Sequence, residues 1–434
     1  MKLSSLLLLF AVVTVPACNR SSGGALVFIQ SLGALVPDPT RERVYLSDSV
    51  GGRLIALSAR TGAVEFERPF GTTLGGIALD LCGEFLYLAV PGSSRILILD
   101  ADDFTDFGRI DLDRRPFDLS MHKKGLLAVT RGGLVRIDPV TKESIVLVED
   151  VADTDQVLAA RFTDDVYLGQ TLNGDSRVLR IRITDSGEGE VLAALDLEGE
   201  MIDLALSFDD TQVFVGTRSR KGIRVLNSET LEVEREIPTG ERLKAFTVNA
   251  TSTRLYLNTG GLTVEEINLF NLGRGQTVVT PFEVNANGLA LSGDQLQLVT
   301  HLSDGDVDLS PLFETTLMGA GQVHLHEVYP LVVSGEPGQF VYVFASIAPG
   351  YFFIDPADSV EPRFLDLLTS ELRVILLVQL DASGEQKFEF KFDDQSLEGA
   401  RVVVQAVSVD LSVSAIGEVS NPFVGTILPP ECTD

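Results

Sequence analysis

The chain has 434 residues, of which 45% are apolar and 39 are glycine, so it is long enough for two domains or for a repeat array. Lys and Arg number 34 against 62 Asp and Glu, a net charge of −28, which repels phosphate backbones and argues against nucleic acid as a partner. Three cysteines and four histidines are too few to indicate a disulfide framework or a histidine-rich metal enzyme.

The N-terminus reads as a secretion signal. A basic start is followed by the apolar run Leu3–Val15, which is typical of a signal peptide and too short to span a bilayer. The run ends in Val-Pro-Ala-Cys at residues 15–18 and resembles a bacterial lipobox. The resemblance implies a signal peptide of residues 1–17, a diacylglyceryl group on Cys18 and a flexible tether over 18–24. The alternative is ordinary secretion with cleavage nearby and an unmodified Cys18.

The residue after Cys18 bears on location. Asn19 stands where, among lipoproteins, an aspartate often signals inner-membrane retention. The same resemblance therefore implies a bacterial cell-envelope protein of the outer membrane, facing either the periplasm or the surface, and a membrane partner through the lipid.

An apolar strand core recurs about every forty residues through most of the chain. Its central residues are Tyr45, Tyr87, Leu127, Tyr167, Phe214, Tyr256 and Gln297. Four strands and their turns need about 40–45 residues, which is the period of a β-propeller blade. The spacing therefore predicts an all-β fold, a seven-bladed β-propeller over residues 25–320.

Each repeat has the same internal order of strands. A short apolar strand precedes the strand core, a third apolar strand follows it, and an alternating strand such as Leu231–Ile237 ends the unit. Middle strands covered on both sides read as continuous apolar runs, and a strand at the wet rim alternates. The seventh unit lacks a fourth strand, so we expect the N-terminal run Ala25–Ile29 to supply it and to close the ring.

The strand cores and the segments that follow them, such as Pro91–Asp100, resemble the YVTN-type propellers, also called lactonase-like or surface-layer-type propellers. The resemblance covers about residues 25–315 and concerns the fold. The Tyr-Val-Thr-Asn tetrapeptide that is typical of this family is not present in the sequence. The segments most similar to it are Tyr45–Asp48 and Tyr256–Thr259. WD-repeat propellers are the alternative, but the chain has no tryptophan.

The blade pattern stops near residue 320. Seven short strand-like runs separated by turn signals follow, from Val323–Val333 to Val424–Leu428. Their number and spacing predict a C-terminal immunoglobulin-like β-sandwich over residues 321–434.

Three groups of residues have part of a metal-binding pattern, and we predict that none of them binds a metal. Asp304–Asp308 has acids at alternate positions but lacks the later glycine and glutamate of a calcium loop. The acids of Asp100–Asp103 are a weaker candidate. His324 and His326 share one face of a strand, yet no third ligand is near in sequence. We therefore predict no metal-binding, cofactor-binding or catalytic residues.

No nucleophile elbow, metalloprotease motif or phosphate loop occurs in the sequence. A lactonase of this fold needs acids and a basic residue at one mouth of the channel, for which Glu241, Arg242, Arg131 and Arg218 are candidates. Cys82 and Cys432 either pair or stay free, and the sequence leaves both open.

We therefore expect an envelope-anchored propeller that acts as a non-catalytic binding or scaffold module for a protein or glycan partner. The alternative is a lactonase-like hydrolase with its site at one channel mouth. A structural surface-layer component is a third interpretation.

Overall fold

A computed structural model describes residues 27–312 apart from 39, 153–155, 208, 220, 294 and 296. Beyond these it describes residues 316–319, 322–324, 328–337, 339–346, 349–354, 363–367, 373–391, 401–410, 415–419 and 423–428. The predicted signal peptide and tether, including Cys18, and the C-terminal Cys432 lie outside the described residues. Among the described residues, no helix is long and apolar enough to cross a membrane.

The first part of the chain forms seven four-stranded antiparallel sheets, or blades. The first four blades comprise β2 Leu32–Asp38, β3 Arg43–Asp48, β4 Arg53–Ser58 and β5 Val64–Pro69; β6 Ile77–Leu79, β7 Phe85–Val90, β8 Arg95–Asp100 and β9 Asp106–Asp111; β10 Pro116–His122, β11 Gly125–Thr130, β12 Gly133–Ile137 and β13 Ser144–Glu149; and β14 Gln156–Ala159, β15 Asp165–Leu172, β16 Asp175–Ile183 and β17 Gly189–Leu197.

The remaining three blades comprise β18 Met201–Leu206, β19 Gln212–Thr217, β20 Gly222–Asn227 and β21 Val233–Pro238; β22 Ala245–Val248, β23 Arg254–Asn258, β24 Thr263–Asn268 and β25 Arg274–Val279; and β26 Val284–Leu291, β27 Gln297–Leu302, β28 Asp306–Pro311 and β1 Val27–Phe28. A short 3₁₀ helix, Pro91–Ser93, lies in the second blade. The predicted seven-bladed propeller is confirmed.

The blades close into a ring. The first strand of every blade contacts the first strand of the next, and β26 contacts β2 to complete the circuit. β1 pairs with β28 in antiparallel register, Val27 opposite Val307 and Phe28 opposite Asp306. The predicted closure by the N-terminal segment is confirmed, with the strand at Val27–Phe28 inside the expected run.

Burial within a blade follows its position in the sheet. All but the first residue of the second strands β3 and β7 are buried, whereas the outer strand β5 alternates between exposed and half-buried residues. One predicted boundary was wrong. The strand predicted from Leu231 begins only at Val233, and Leu231 lies in the turn before β21 with a φ of 59°. The prediction began too early because Leu231 is apolar and buried, so it continues the alternating pattern of the strand.

The predicted centre of the seventh repeat was also wrong. In the other blades the central residue is the third residue of the second strand. Tyr256, for example, is the third residue of β23 and pairs with Thr247 of the first strand. In the seventh blade this place belongs to Val299, opposite Ala290, and Gln297 is the first residue of the strand. Alternating Leu and Gln around residue 297 fits either register, since a strand repeats every two residues.

The ring has two distinct faces. One carries the turns between first and second and between third and fourth strands, and we call it the turn face. The other carries the second-to-third turns and the links between blades, and we call it the linker face. β28 runs towards the turn face and ends there, and antiparallel β1 starts from that side. The chain therefore enters and leaves the ring on the turn face.

Asp48 holds the segment that follows β1. Its carboxylate accepts hydrogen bonds from the backbone N–H groups of Gln30 and Ser31, each at 3.2 Å. Arg53 Nη2 lies 3.1 Å from the same carboxylate and donates to the Phe28 carbonyl at 2.6 Å. Because the side chain of Asp48 is buried, these contacts fix the closing segment to the first blade.

Residues beyond the propeller form further strands. They are β29 Thr316–Gly319, β30 Gln322–His324, β31 Val328–Ser334, β32 Phe340–Ser346, β33 Pro349–Ile354, β34 Arg363–Leu367, β35 Arg373–Gln379, β36 Glu385–Lys391, β37 Arg401–Asp410, β38 Ala415–Val419 and β39 Phe423–Leu428. The longest, β37, pairs with β32, β38 and β39. The immunoglobulin-like arrangement of these strands stays a prediction.

Deleting residues 25–31 should lower the melting temperature by about 5–10 °C, because the deletion bares the edge of β28 and removes buried apolar surface. The measurement is thermal unfolding followed by circular dichroism. A chain that starts at Ala25 is the matched control and should melt like the mature protein. Equal melting temperatures for the two truncations would refute closure by β1.

Candidate functional site

The four residues proposed for a channel mouth all lie on the linker face. Arg131 follows the second strand of the third blade, and Arg218 follows that of the fifth. Glu241 and Arg242 lie in the link between β21 and β22. The structure thus brings these residues to one side of the ring, on the third blade, the fifth blade and the link between the fifth and sixth.

Two of these four side chains are already paired. Arg218 Nε lies 3.3 Å from Glu200, and Glu241 lies 3.4 Å from Lys221. Arg131 and Arg242 are exposed and have no ion pair among the described residues. They are therefore free to meet an anionic group on a ligand.

Sequence reasoning missed two further cations of this face. Arg115 immediately precedes β10, and Lys244 immediately precedes β22. Both are exposed and have no ion pair in the described part of the chain. Since the first strands are innermost, these residues stand at the linker-face mouth of the channel, and Arg131 N–H donates to the Arg115 carbonyl at 3.0 Å.

Each of the seven first strands contributes one residue at the same register position, and together these residues form a layer around the channel. Three neighbouring residues of this layer are polar, and we call them the arc. Within its blade, each of these residues pairs with the residue that follows the centre of the second strand by two places. Asp118 thus lies opposite Val129, and Asp203 lies opposite Gly216. In blade order the seven residues are Ala34, Gly76, Asp118, Gln156, Asp203, Ala245 and Gly288. The polar residues fall in three consecutive blades, and the other four positions carry only Ala or Gly.

Each polar side chain of the arc is hydrogen-bonded to a backbone group of its own blade or of the next one. Asp118 Oδ2 accepts the backbone N–H of Val157 at 3.0 Å, and Gln156 Nε2 donates to the Ile202 carbonyl at 3.3 Å. Asp203 Oδ1 accepts the backbone N–H of Leu204 at 2.8 Å. The Oε1 atom of Gln156 is buried and has no donor.

The two carboxylates of the arc hold protons unusually strongly. Burial raises the pKa of Asp118 to about 6, against the opposing hydrogen bonds from backbone N–H groups. Burial also raises the pKa of Asp203 to about 7, and the charge of Asp118 adds to this shift. Both side chains keep partial exposure along the channel, so solvent moderates the effect. Each of these two acids therefore keeps its proton to a higher pH than an ordinary aspartate does.

The arc had a signal in the sequence. Asp118 lies between Phe117 and Leu119, and Asp203 lies between Ile202 and Leu204. An acid within a short apolar strand is a buried polar residue, which is the informative exception to the rule of apolar cores. Gln156 is not flanked by apolar residues on both sides, so only its pairing position in the sheet shows that it belongs to the arc.

The candidate metal ligands do not lie close together in the described part of the chain. Among the described residues no three of His, Cys, Asp and Glu group around a cation position. Asp304 Oδ1 accepts the N–H of Asp306 at 3.1 Å, and Asp100 Oδ1 accepts that of Asp102 at 2.7 Å, so each closes a local turn. His324 ends β30, and His326 lies outside the described residues.

Two buried histidines have structural contacts. His122 Nε2 lies 3.2 Å from the Thr163 carbonyl, and His301 Nδ1 lies 3.3 Å from the Asn285 amide. Burial lowers the pKa of both imidazoles. They are therefore neutral at pH 7.

Cys82 lies in the turn between β6 and β7 and is disulfide-bonded. The chain holds three cysteines in all, and Cys18 and Cys432 both lie outside the described residues. The free-thiol alternative for Cys82 is thereby corrected.

Comparison with known proteins identifies the fold alone. No family model matches the chain, and no curated protein matches it. The β-propeller domain of Cps50 (Swd1) from Myceliophteria thermophila is 12% identical, with a TM-score of 0.54, 66% of this chain and 98% of that one being covered.

Two other solved structures are similar in the same way. A functionally unknown protein from Desulfotomaculum acetoxidans is 10% identical, with a TM-score of 0.55, covering 62% of this chain and 92% of that one. A chain of a mitotic checkpoint complex is 15% identical, with a TM-score of 0.56, covering 71% and 99%. Proteins from different settings thus share this fold.

Replacing Asp118 or Asp203 by Asn should stabilise the protein at pH 8 but hardly at pH 4.5. An acid whose folded-state pKa is raised is stable when protonated, and its cost grows as the pH rises from its unfolded value near 4 through its folded value. We expect the gain at pH 8 to be about 2–4 °C per variant, measured by calorimetry. The exposed Asp185→Asn is the control. A gain that is equal at both pH values would contradict the assignment.

Proposed function

We propose that the protein is an envelope lipoprotein whose YVTN-type propeller binds a partner at the linker face without catalysis. The observation that carries the proposal is that β1 begins and β28 ends on the turn face, so that both ends of the propeller lie on that face. A short tether on that side, anchored through Cys18, holds the turn face towards the membrane. The linker-face mouth then faces away from the bilayer and is open to a partner.

The charge of the mouth defines the partner. Arg115, Arg131, Arg242 and Lys244 are exposed cations without an ion pair among the described residues, in a protein whose net charge is −28. Exposed cations at a binding surface steer and orient anionic groups. We therefore propose a protein or glycan partner that presents carboxylate or other acidic groups.

A lactonase-like hydrolase is the second candidate, and the acid pair Asp118 and Asp203 within the same channel favours it. A general acid or base works best with a pKa near the operating pH, and the pair meets that requirement. Lactone turnover above background that is lost in Asp203→Asn would establish hydrolysis in place of pure binding.

Replacing Cys18 by Ser should release the protein from membranes. Two or more acyl chains anchor stably, since each buried CH₂ contributes about 0.8 kcal/mol. Detergent phase partition of cells expressing each variant measures the effect. Cys432→Ser is the matched control and should stay with the membrane. Release by both variants, or by neither, would contradict lipidation of Cys18.

Reversing the charges at the mouth should weaken partner binding. With Arg115→Glu and Arg131→Glu combined, we expect capture of an acidic partner from an envelope extract to fall at least tenfold, about 1.4 kcal/mol. Arg60→Glu and Lys142→Glu combined make the same change of charge at exposed residues of the turn face and should leave capture intact. Equal losses would show that net charge, rather than the linker face, governs binding.

A further inference from the structure

We propose that the partner of the linker face is a protein segment that docks an apolar side chain on the sixth, seventh and first blades. The proposal rests on the proposed function only in taking the linker face as the binding surface, and it narrows the partner to a protein. We call this surface the apolar sector. Its members are the exposed side chains of Leu262, Phe282, Phe28 and Val50.

The apolar sector follows three consecutive blades on one side of the ring. Leu262 lies in the turn between β23 and β24, Phe282 in the link from β25 to β26, and Val50 in the turn between β3 and β4. Phe28 ends β1, and its ring lies against Gly305 in the turn between β27 and β28. The exposed fractions are 49% for Leu262, 47% for Phe282, 56% for Phe28 and 61% for Val50, so each side chain is open to a partner.

The end of the sixth blade holds its two members of the sector close together. Thr280 donates its N–H to the Leu262 carbonyl and its Oγ1 hydroxyl to the Phe282 carbonyl, each at 2.8 Å. The buried Asn258 amide donates to the carbonyls on either side of Leu262, at 3.0 and 2.8 Å. Both residues are thereby held in place before a partner arrives, and a preorganised surface loses less entropy on binding.

The contacts continue through the seventh blade to the first. Ser303 N–H donates to the Glu283 carbonyl at 2.7 Å, which joins the link from β25 to β26 to the turn beneath Phe28. Arg53, the first residue of β4 after the turn that carries Val50, donates to the Phe28 carbonyl at 2.6 Å. The four side chains therefore belong to one continuous stretch of the linker face. A contiguous exposed apolar patch marks an interaction site, whereas a single exposed apolar residue does not.

A cation stands beside the apolar sector. The stem of Lys244 lies against Gly260, two residues before Leu262, and its N–H donates to the Asn258 carbonyl at 2.9 Å. Lys244 is exposed and has no ion pair among the described residues. Because opposite charges orient a partner, a carboxylate bound to Lys244 brings the neighbouring side chains of that partner over Leu262.

The charges within the sector fix the direction of the partner. Glu283 and Asp304 are exposed there, and they repel an acidic group placed next to Phe282 or Phe28. The acid of the partner therefore goes to Lys244 and its apolar side chain to the sector. An apolar centre with a charged rim is the arrangement of protein interfaces, so the sector fits a protein segment better than a glycan.

The test is selection of a phage-displayed library of random twelve-residue peptides on the immobilised full chain, followed by fluorescence anisotropy of the selected peptides. We expect these peptides to combine an aromatic residue or leucine with Asp or Glu. Leu262→Ser and Phe282→Ser combined should weaken their binding at least tenfold. Leu81→Ser and Phe162→Ser combined are the matched control, since these side chains are 53% and 45% exposed on the turn face, and should leave binding unchanged. Circular dichroism confirms that each variant is folded.

Three results would overturn the proposal. Selection of no peptide, or of peptides whose binding both double variants weaken equally or not at all, would reject docking on the apolar sector. Selected peptides that carry acids without an apolar residue would reduce the site to its cations. Oligogalacturonate that binds the full chain, and loses binding with Arg115→Glu and Arg131→Glu but not with Phe282→Ser, would make the partner an acidic glycan. The last two results would leave the linker face as the binding surface.

Discussion

Packing between neighbouring blades is the interaction on which the whole propeller depends. Among the described residues of the propeller, buried apolar side chains form seven clusters, and each cluster joins two consecutive blades. A single blade therefore buries little by itself, as expected for a repeat whose faces are covered only by its neighbours. The cluster between the seventh and first blades contains Val27 and Ile29, so the N-terminal segment completes the last interface as well as the last sheet.

Polar contacts set the relation between adjacent blades. The Tyr45 hydroxyl donates to the Ala101 carbonyl of the second blade at 2.8 Å, and that of Tyr167 donates to Ser228 of the fifth at 3.1 Å. The aromatic residue at the centre of a second strand thus buries its ring and satisfies its hydroxyl across the interface. This double role favours tyrosine at the centre of the second strand in the first and fourth blades.

The innermost strands present a different problem, since each has an unpaired edge towards the axis. Side chains of one blade cap backbone N–H groups of the next: Asp118 binds Val157, and Ser120 Oγ accepts the N–H of Ala159 at 3.2 Å. Capping satisfies a sheet edge that would otherwise stay open. The capping by Asp118 thereby places a carboxylate on an innermost strand of the ring.

The sequence alone determined the number of blades, their strand order and the closing strand, because a stacked blade forces a fixed period and continuous apolar runs. It misplaced the centre of the seventh repeat at Gln297 instead of Val299, since a two-residue period cannot choose between alternate positions. Only the tertiary structure decided that Asp118, Gln156 and Asp203 share a layer. Register bulges in the first strands and the curvature of the ring bring together residues that lie far apart in the chain, and neither is encoded in local periodicity.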